Sequence, residues 1–113
     1  MRTHQRLEFK DIVRYEPLSV DPAGEHLNRK ADGRNLSLTG IYFETKADAE
    51  ILTHLKVGNI VWVAFRIPEY DEEIKVQCEI RRVLDLGKNK TGFGSMFINL
   101  SSRAERAIAK FLK

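Results

Sequence analysis

Two groups of residues in this sequence have types and spacings that could do chemistry. The first is Arg2-Thr3-His4-Gln5-Arg6, with arginines four residues apart. On a helical turn this spacing puts both guanidinium groups on one side; fully extended, it separates their Cα atoms by about 13 Å. A guanidinium forks onto a phosphate or onto guanine O6 and N7, and it stacks on a purine face. The second group is Asn35-Leu36-Ser37-Leu38-Thr39-Gly40. In a strand, Asn35 and Ser37 would point to the same side. Gly40 would let backbone approach a ligand closely or adopt a positive φ. Both groups also have ordinary explanations: chain ends carry solvated arginines, and Asn, Ser and Gly suit a plain strand-to-strand turn. The arginine spacing arises readily by chance, whereas the Asn-x-Ser-x-x-Gly pattern is much rarer, so the two in order count for more than either alone.

Catalytic groupings are not visible. His4, His26 and His54 are scattered without zinc-ligand spacing, and no nucleophile–base pairing stands out. Gly87-Lys88-Asn89-Lys90-Thr91-Gly92 has the wrong order for a phosphate loop and reads as a hairpin turn. An enzyme is therefore not expected, and neither a metal nor a cofactor is implied.

Composition and charge set the frame for these groups. With 42% hydrophobic and 31% charged residues, the chain of 113 residues reads as one soluble domain with a real core. No apolar run approaches the ~18 residues of a membrane span. The polar start Met1–Arg6 lacks the apolar stretch of a secretory signal. Cys78 is the single cysteine and lies in a strand-like run, so a buried small hydrophobe in a reducing, cytoplasmic setting is expected. The net charge is +3. Its positive part gathers at the ends, on Arg2, Arg6, Lys10 and Arg14 and on Arg103, Arg106, Lys110 and Lys113. Glu69, Asp71, Glu72 and Glu73 lie far from both ends in sequence. A basic pair of ends suits an anionic partner or a merely solvated surface.

The elements that must position these residues are mostly short strands. Leu7–Tyr15 is rich in β-formers, Asp21-Pro22-Ala23-Gly24 is a turn, and Leu27–Leu36 reads as a strand with one wet face. Ile41–Phe43 begins another strand after the break at Gly40. Ile60–Ile67 is the clearest strand, with Val61, Val63, Phe65 and Ile67 on one face and both faces covered. Ile74–Val83 alternates until Arg82-Val83, where a β-bulge would return Val83 to the core. Pro68–Glu73 reads as a solvated hairpin tip, Leu86–Lys90 as a turn and Gly92–Leu100 as the last strand. Lys46–Leu55 predicts a short helix with Ala47, Ile51 and Leu55 on one face. At the C-terminus, Ser102-Arg103-Ala104-Glu105 predicts a capping box for a helix whose Ala104, Ile108, Phe111 and Leu112 make an apolar face. That helix would close one opening of a Greek-key barrel or sandwich.

With these residues in order, the chain resembles the PilZ domain family of cyclic di-GMP receptors. The family is marked by Arg-x-x-x-Arg, a first strand, and then [Asp/Asn]-x-Ser-x-x-Gly. Here these are Arg2–Arg6, the strand ending Val13-Arg14-Tyr15, and Asn35–Gly40 followed by Ile41-Tyr42-Phe43-Glu44-Thr45. Gly58-Asn59-Ile60-Val61 and Gly92-Phe93-Gly94-Ser95-Met96-Phe97 resemble later family strands. The resemblance implies a mainly β fold, a six-stranded antiparallel Greek-key barrel with a C-terminal helix. It implies a single domain over residues 1–113, with 1–8 a flexible ligand-binding arm and 101–113 the C-terminal helix. It also implies that cyclic di-GMP is the ligand. Arg2 and Arg6 would grip phosphate and guanine and stack on the bases, Asn35 and Ser37 would meet guanine and phosphate groups, and Gly40 would permit a close turn. Asn35 stands where Asp is commoner and offers one acceptor oxygen rather than two. Met1 rather than another arginine precedes the arginine pair, so one bound ligand rather than a stacked pair is expected. The arm would reorder on binding and signal through a downstream protein partner that the sequence does not identify. A protein-binding adaptor without ligand, or a small barrel for single-stranded nucleic acid, are the other readings. Phe93 and Phe97 would be the stacking residues of the latter, but they sit at core-like spacing.

Overall fold

The computed structural model describes residues 7–113, with side chains from Asp11 onward; Arg2 and Arg6, and most of the expected arm 1–8, lie outside the described residues. Six strands form a closed antiparallel barrel: β1 (Leu7–Pro17), β2 (Arg29–Leu36), β3 (Gly40–Lys46), β4 (Ile60–Phe65), β5 (Ile74–Asp85) and β6 (Lys90–Ile98). The order around the barrel is β1-β2-β3-β6-β5-β4. Three consecutive strands, β4, β5 and β6, form a meander, and β3 lies beside β6 after a long crossover, which is a Greek key. Closure leaves no unpaired strand edge.

The interior follows from alternation. Val13 and Tyr15, Ile41 and Phe43, Val61 and Val63, and Val76, Cys78 and Ile80 all point inward and are buried. Phe43 sits at the centre, its ring 5.5 Å from that of Tyr15 and 5.6 Å from that of Phe93. These tilted pairs add to the area they bury. Phe93 is therefore core and not a stacking platform for bases, and Phe97 stacks on Phe65 at 6.1 Å. Cys78 is fully buried, and burial pushes its thiol up to about 12 against a weaker pull from a hydrogen bond with Ser95.

Two helices complete the core. The expected Lys46–Leu55 helix is shorter: Thr45 and Lys46 continue β3 opposite Thr91 and Lys90, and the helix α1 covers only Ala49–Leu52. Asp48 caps it, its carboxylate accepting from the Ile51 amide at 2.8 Å. Ile51 and Leu55 are nevertheless buried as their spacing predicted. The C-terminal helix α2 spans Ser102–Phe111. Its cap is Ser101 and not Ser102. Ser101 is extended (φ −65°, ψ 153°), its hydroxyl accepts from the Ala104 amide at 3.1 Å, and its carbonyl takes the Glu105 amide. The cap is thus displaced by one residue, and the expected reciprocal box is not formed, because Ala104 rather than Glu105 stands three residues after the cap. Ala104, Ile108 and Leu112, four apart, join the barrel core, while Phe111 packs at its margin. Burying a side chain such as Ile108 is worth about 1.5–3 kcal/mol.

The acidic tip is exposed at Glu69, Asp71 and Glu72, as expected, and two of its carboxylates are also ion-paired. Glu73 takes both its oxygens to the Arg14 guanidinium at 2.6 Å, and Glu72 accepts from Arg103 at 3.0 Å. Folding therefore brings the mid-chain acids to the basic β1 and α2.

Phe43→Ala empties the centre of the aromatic stack and should cost about 3–5 kcal/mol. Urea unfolding followed by far-UV circular dichroism should show a lower midpoint with an unchanged slope.

Candidate functional site

The outer face of the barrel carries one row of residues that register pairing sets side by side. Asn35 of β2 pairs with Tyr42 of β3, Tyr42 with Gly94 of β6, and Gly94 with Arg82 of β5. Directly paired residues share a face, so all four point outward, and at about 4.8 Å per strand the row is about 14 Å wide. The next row, Leu36, Ile41, Ser95 and Ile80, points inward and is buried.

Two bulges create this arrangement. On β2 the inward residues are Ala31 and Gly33, and unbroken alternation would turn Asn35 into the core. Between Gly33 and Asn35 the register shifts, Arg34 being the extra residue, and Asn35 comes out while Leu36 goes in. On β5 the shift falls between Ile80 and Arg82, with Arg81 extra. The expected bulge is present and turns Val83 to the inner face opposite buried Phe93, but Val83 stays 39% exposed, because β5 there has run past Glu79, the end of its pairing with β4.

Asn35 and Ser37 do not share a strand face. β2 ends at Leu36, and Ser37 lies in the turn to β3. Its hydroxyl accepts from the amides of Thr39 and Gly40, both at 3.2 Å, and its own amide donates to the Gly40 carbonyl at 3.0 Å. Ser37 thus holds the turn's shape, as Ser does in such turns. The turn is tied to β6 by the Phe97 amide donating to the Thr39 carbonyl at 2.8 Å. Gly40 is not in the left-handed region. Its lack of a side chain is required instead by β6: a Cβ there would stand 1.9 Å from the Ser95 carbonyl oxygen.

Asn35, Ser37 and Gly40 line one hollow of about 100 Å³, together with Tyr42, Arg82 and Gly94. The sequence reading missed the last three, because only strand register brings them to the motif; the Arg81-Arg82 break in alternation was the one available signal. The Asn35 amide makes no hydrogen bond to a described side chain or backbone group. β1 begins at Leu7, opposite Leu36 of β2.

A charged network borders the hollow. The Tyr42 hydroxyl leans over Gly92 and donates to Glu44 at 3.1 Å. Arg34 donates to the same carboxylate at 3.2 Å, and Lys90 lies 3.3 Å from it. Burial would raise the Glu44 pKa, but the hydrogen bonds from Lys90, Tyr42 and Arg34 outweigh it and hold the carboxyl below its ordinary range. Burial, with the bond to and the charge of Glu44, pushes the Tyr42 phenol up. The phenol is therefore a fixed donor to Glu44, and its ring is drawn away from Gly94.

Larger hollows lie elsewhere, one of about 460 Å³ beside α2 and one of about 1180 Å³ beside α1, and neither contains a motif residue. Among the described residues no group of His, Cys, Asp and Glu gathers as a metal site would, and no helix is long and apolar enough to cross a membrane.

A family model described as the PilZ domain matches residues 2–113. No curated protein sequence matches the chain. Among solved structures, the Bacillus subtilis inhibitor of motility (MotI/DgrA) is similar with a TM-score of 0.75 at 18% identity, over 99% of this chain and 49% of that one. The K. pneumonia MrkH–c-di-GMP complex is similar with a TM-score of 0.70 at 17% identity, over 99% and 51%. The PilZ domain with c-di-GMP of YcgR from Escherichia coli follows with a TM-score of 0.63 at 16% identity, over 98% and 88%. The chain spans about half the length of the MotI/DgrA and MrkH structures it matches.

Gly40→Ala forces β3 away from the Ser95 carbonyl and should cost about 1–3 kcal/mol as overpacking does, lowering the thermal midpoint. Glu44 contributes stability that is full above the unfolded carboxylate pKa of about 4.3 and is lost as pH falls through its lower folded value. Wild type should therefore exceed Glu44→Gln in urea midpoint near neutrality, and the gap should close from about pH 5 to about pH 3. A gap constant over that range would locate the difference outside Glu44 ionisation.

Proposed function

The chain belongs to the PilZ domain family, and on that premise we propose that it is a cyclic di-GMP receptor, a binding domain and not an enzyme. The observation that carries the reading is the outward row from Asn35 to Arg82, set beside the turn that Ser37 and Gly40 shape. Two solved neighbours, MrkH and the YcgR PilZ domain, are complexes with that ligand, which supports the same choice here.

In this proposal Asn35 presents its amide, which has no partner among the described residues, to guanine, Ser37 and Gly40 keep the turn close to β6, and Arg2 and Arg6 supply the cations for phosphate and guanine. Ser37 acts mainly through the turn, since its hydroxyl already accepts two amides. Charge-assisted hydrogen bonds contribute about 1.5–3 kcal/mol each, and stacking a base about 1–3 kcal/mol. Ordering a chain segment costs about 2–5 kcal/mol. The balance corresponds to an affinity of about micromolar.

The finer part of the proposal treats residues 1–113 as one domain in a cytoplasmic setting, with residues 1–8 an arm that closes over one ligand. The motive is the like charge of Arg2 and Arg6, which an anion between them would offset. The reordered arm would then present a new surface to a protein partner.

Calorimetric titration with cyclic di-GMP at moderate salt should give saturable binding that Arg6→Ala and Asn35→Ala each weaken. Hydrogen exchange over residues 1–8 should slow when ligand is added. Absence of binding by the wild-type chain would leave the adaptor reading in its place, and equal exchange in both states would remove the moving arm.

A further inference from the structure

Closure removes strand edges only where all six strands run together, and β5 outruns that length. It pairs with β4 from Ile74 to Glu79. At Ile80 the amide still donates to the Asn59 carbonyl at 2.9 Å, and the carbonyl accepts from the Gly58 amide at 2.7 Å. Beyond Ile80 the strand keeps β6 on one side as far as Asp85, opposite Thr91, and no described residue pairs with its other side. Backbone groups point to alternate sides along a strand. The Leu86 amide donates to the Lys90 carbonyl at 2.9 Å, toward β6. Asp85, and Val83 two residues earlier, therefore turn their N–H and C=O groups to the open side. An edge of this kind is a template for one more strand.

The same stretch borders the hollow of about 1180 Å³, whose far wall is α1 and the segment that follows it. Its lining is apolar on both sides: Val83 from β5, and Leu52, Leu55 and Val57 from across the hollow. Val57 is 62% exposed and Val83 39%, so this apolar surface meets water. The rim carries Lys46, Lys56 and Lys88, which have no ion pair and no hydrogen bond among the described residues. Its two carboxylates, Asp48 and Asp85, already accept from the amides of Ile51 and Gly87 at 2.8 and 2.9 Å.

We propose that the open edge of β5 at Val83 and Asp85 is a docking site for an extended segment of a partner protein, one with apolar residues at alternate positions and carboxylates at its ends. Such a segment adds a strand: its backbone pairs with Val83 and Asp85, and alternate side chains fill the hollow against Val83, Leu52 and Val57. The three lysines favour carboxylates at its ends. The start of this chain, Met1–Arg6, is basic and does not match that rim. The edge is separate from the hollow at Asn35, since the two hollows share no lining residue. The inference therefore does not depend on the cyclic di-GMP reading.

Amide exchange in the free protein tests the edge itself. Val83 and Asp85 should exchange at least about tenfold faster than Leu84, whose amide faces β6; equal rates overturn the open edge. Docking is tested by fluorescence anisotropy without cyclic di-GMP. The probe is a labelled peptide of valines alternating with threonines, with paired glutamates at each end. Wild type should bind it saturably. Val83→Pro removes an outward N–H and no bond to β6, so it should melt like wild type and bind at least about tenfold more weakly. Val57→Ser, a surface change that strips part of the apolar wall, should weaken binding about threefold and serves if Val83→Pro melts early. The double variant Lys56→Glu/Lys88→Glu should lose this peptide and bind one with lysines in place of the glutamates. No binding by wild type below about 1 mM peptide, or unchanged binding in Val83→Pro and Val57→Ser, overturns the docking site. Equal binding of both peptides by wild type overturns the acidic chemistry. Sedimentation showing that wild type self-associates and Val83→Pro does not assigns the edge to a second copy and overturns the partner. Each of these failures leaves the cyclic di-GMP reading standing.

Discussion

Every strand of this barrel must keep one face in the Tyr15–Phe43–Phe93 core. Side chains alternate, so each inward residue commits its neighbours to the outside. On β3 and β6 the alternation runs unbroken, and Phe43 inward means Tyr42 and Glu44 outward. On β2 and β5 the sequence cannot satisfy the core and the outer face in one phase. Each strand changes phase at an arginine, Arg34 or Arg81. Leu36 thereby enters the core while Asn35 leaves it, and Ile80 stays inside while Arg82 comes out. The polar row is a consequence of how the core is filled.

Close backbone approach then limits what may stand on that row. Gly40 has no room for a side chain against the Ser95 carbonyl, and Gly92 has none beneath the Tyr42 hydroxyl. Gly94 differs, since among the described residues only Arg82 lies near the place a Cβ would take. Two glycines are thus demanded by packing, and the third leaves open a surface that packing does not need. Around it, Glu44 gathers Tyr42, Arg34 and Lys90 into a network that fixes the wall of the hollow.

Charge is redistributed by the same folding. The sequence carries its basic residues near its ends and an acidic group between, which suggests free positive ends. In the barrel the hairpin tip at Glu72 and Glu73 comes to Arg103 and Arg14, so part of that positive charge is already paired. Arg82 lies in the middle of the chain and drew no attention on charge grounds, yet it has no carboxylate partner among the described residues.

Period-two alternation, turn residues and the 3.6-residue repeat of Ala104, Ile108 and Leu112 were enough to read the strands, the barrel class and the C-terminal helix from the sequence. The reason is that these signals are local: a residue's face depends on its immediate neighbours. The Asn35-x-Ser37-x-x-Gly40 pattern was legible for the same reason. The cap at Ser101, the shortness of α1 and the phase change at Arg34 were not, because each is decided by which partner strand or carbonyl a residue meets. Ser37 looked like a strand residue facing the same way as Asn35, and its use in the turn depends on β3 folding back. The meeting of Asn35, Tyr42, Gly94 and Arg82 joins four strands spread over much of the chain. No local pattern encodes it. Barrel closure sets the register, and register alone decides which side chains share a row.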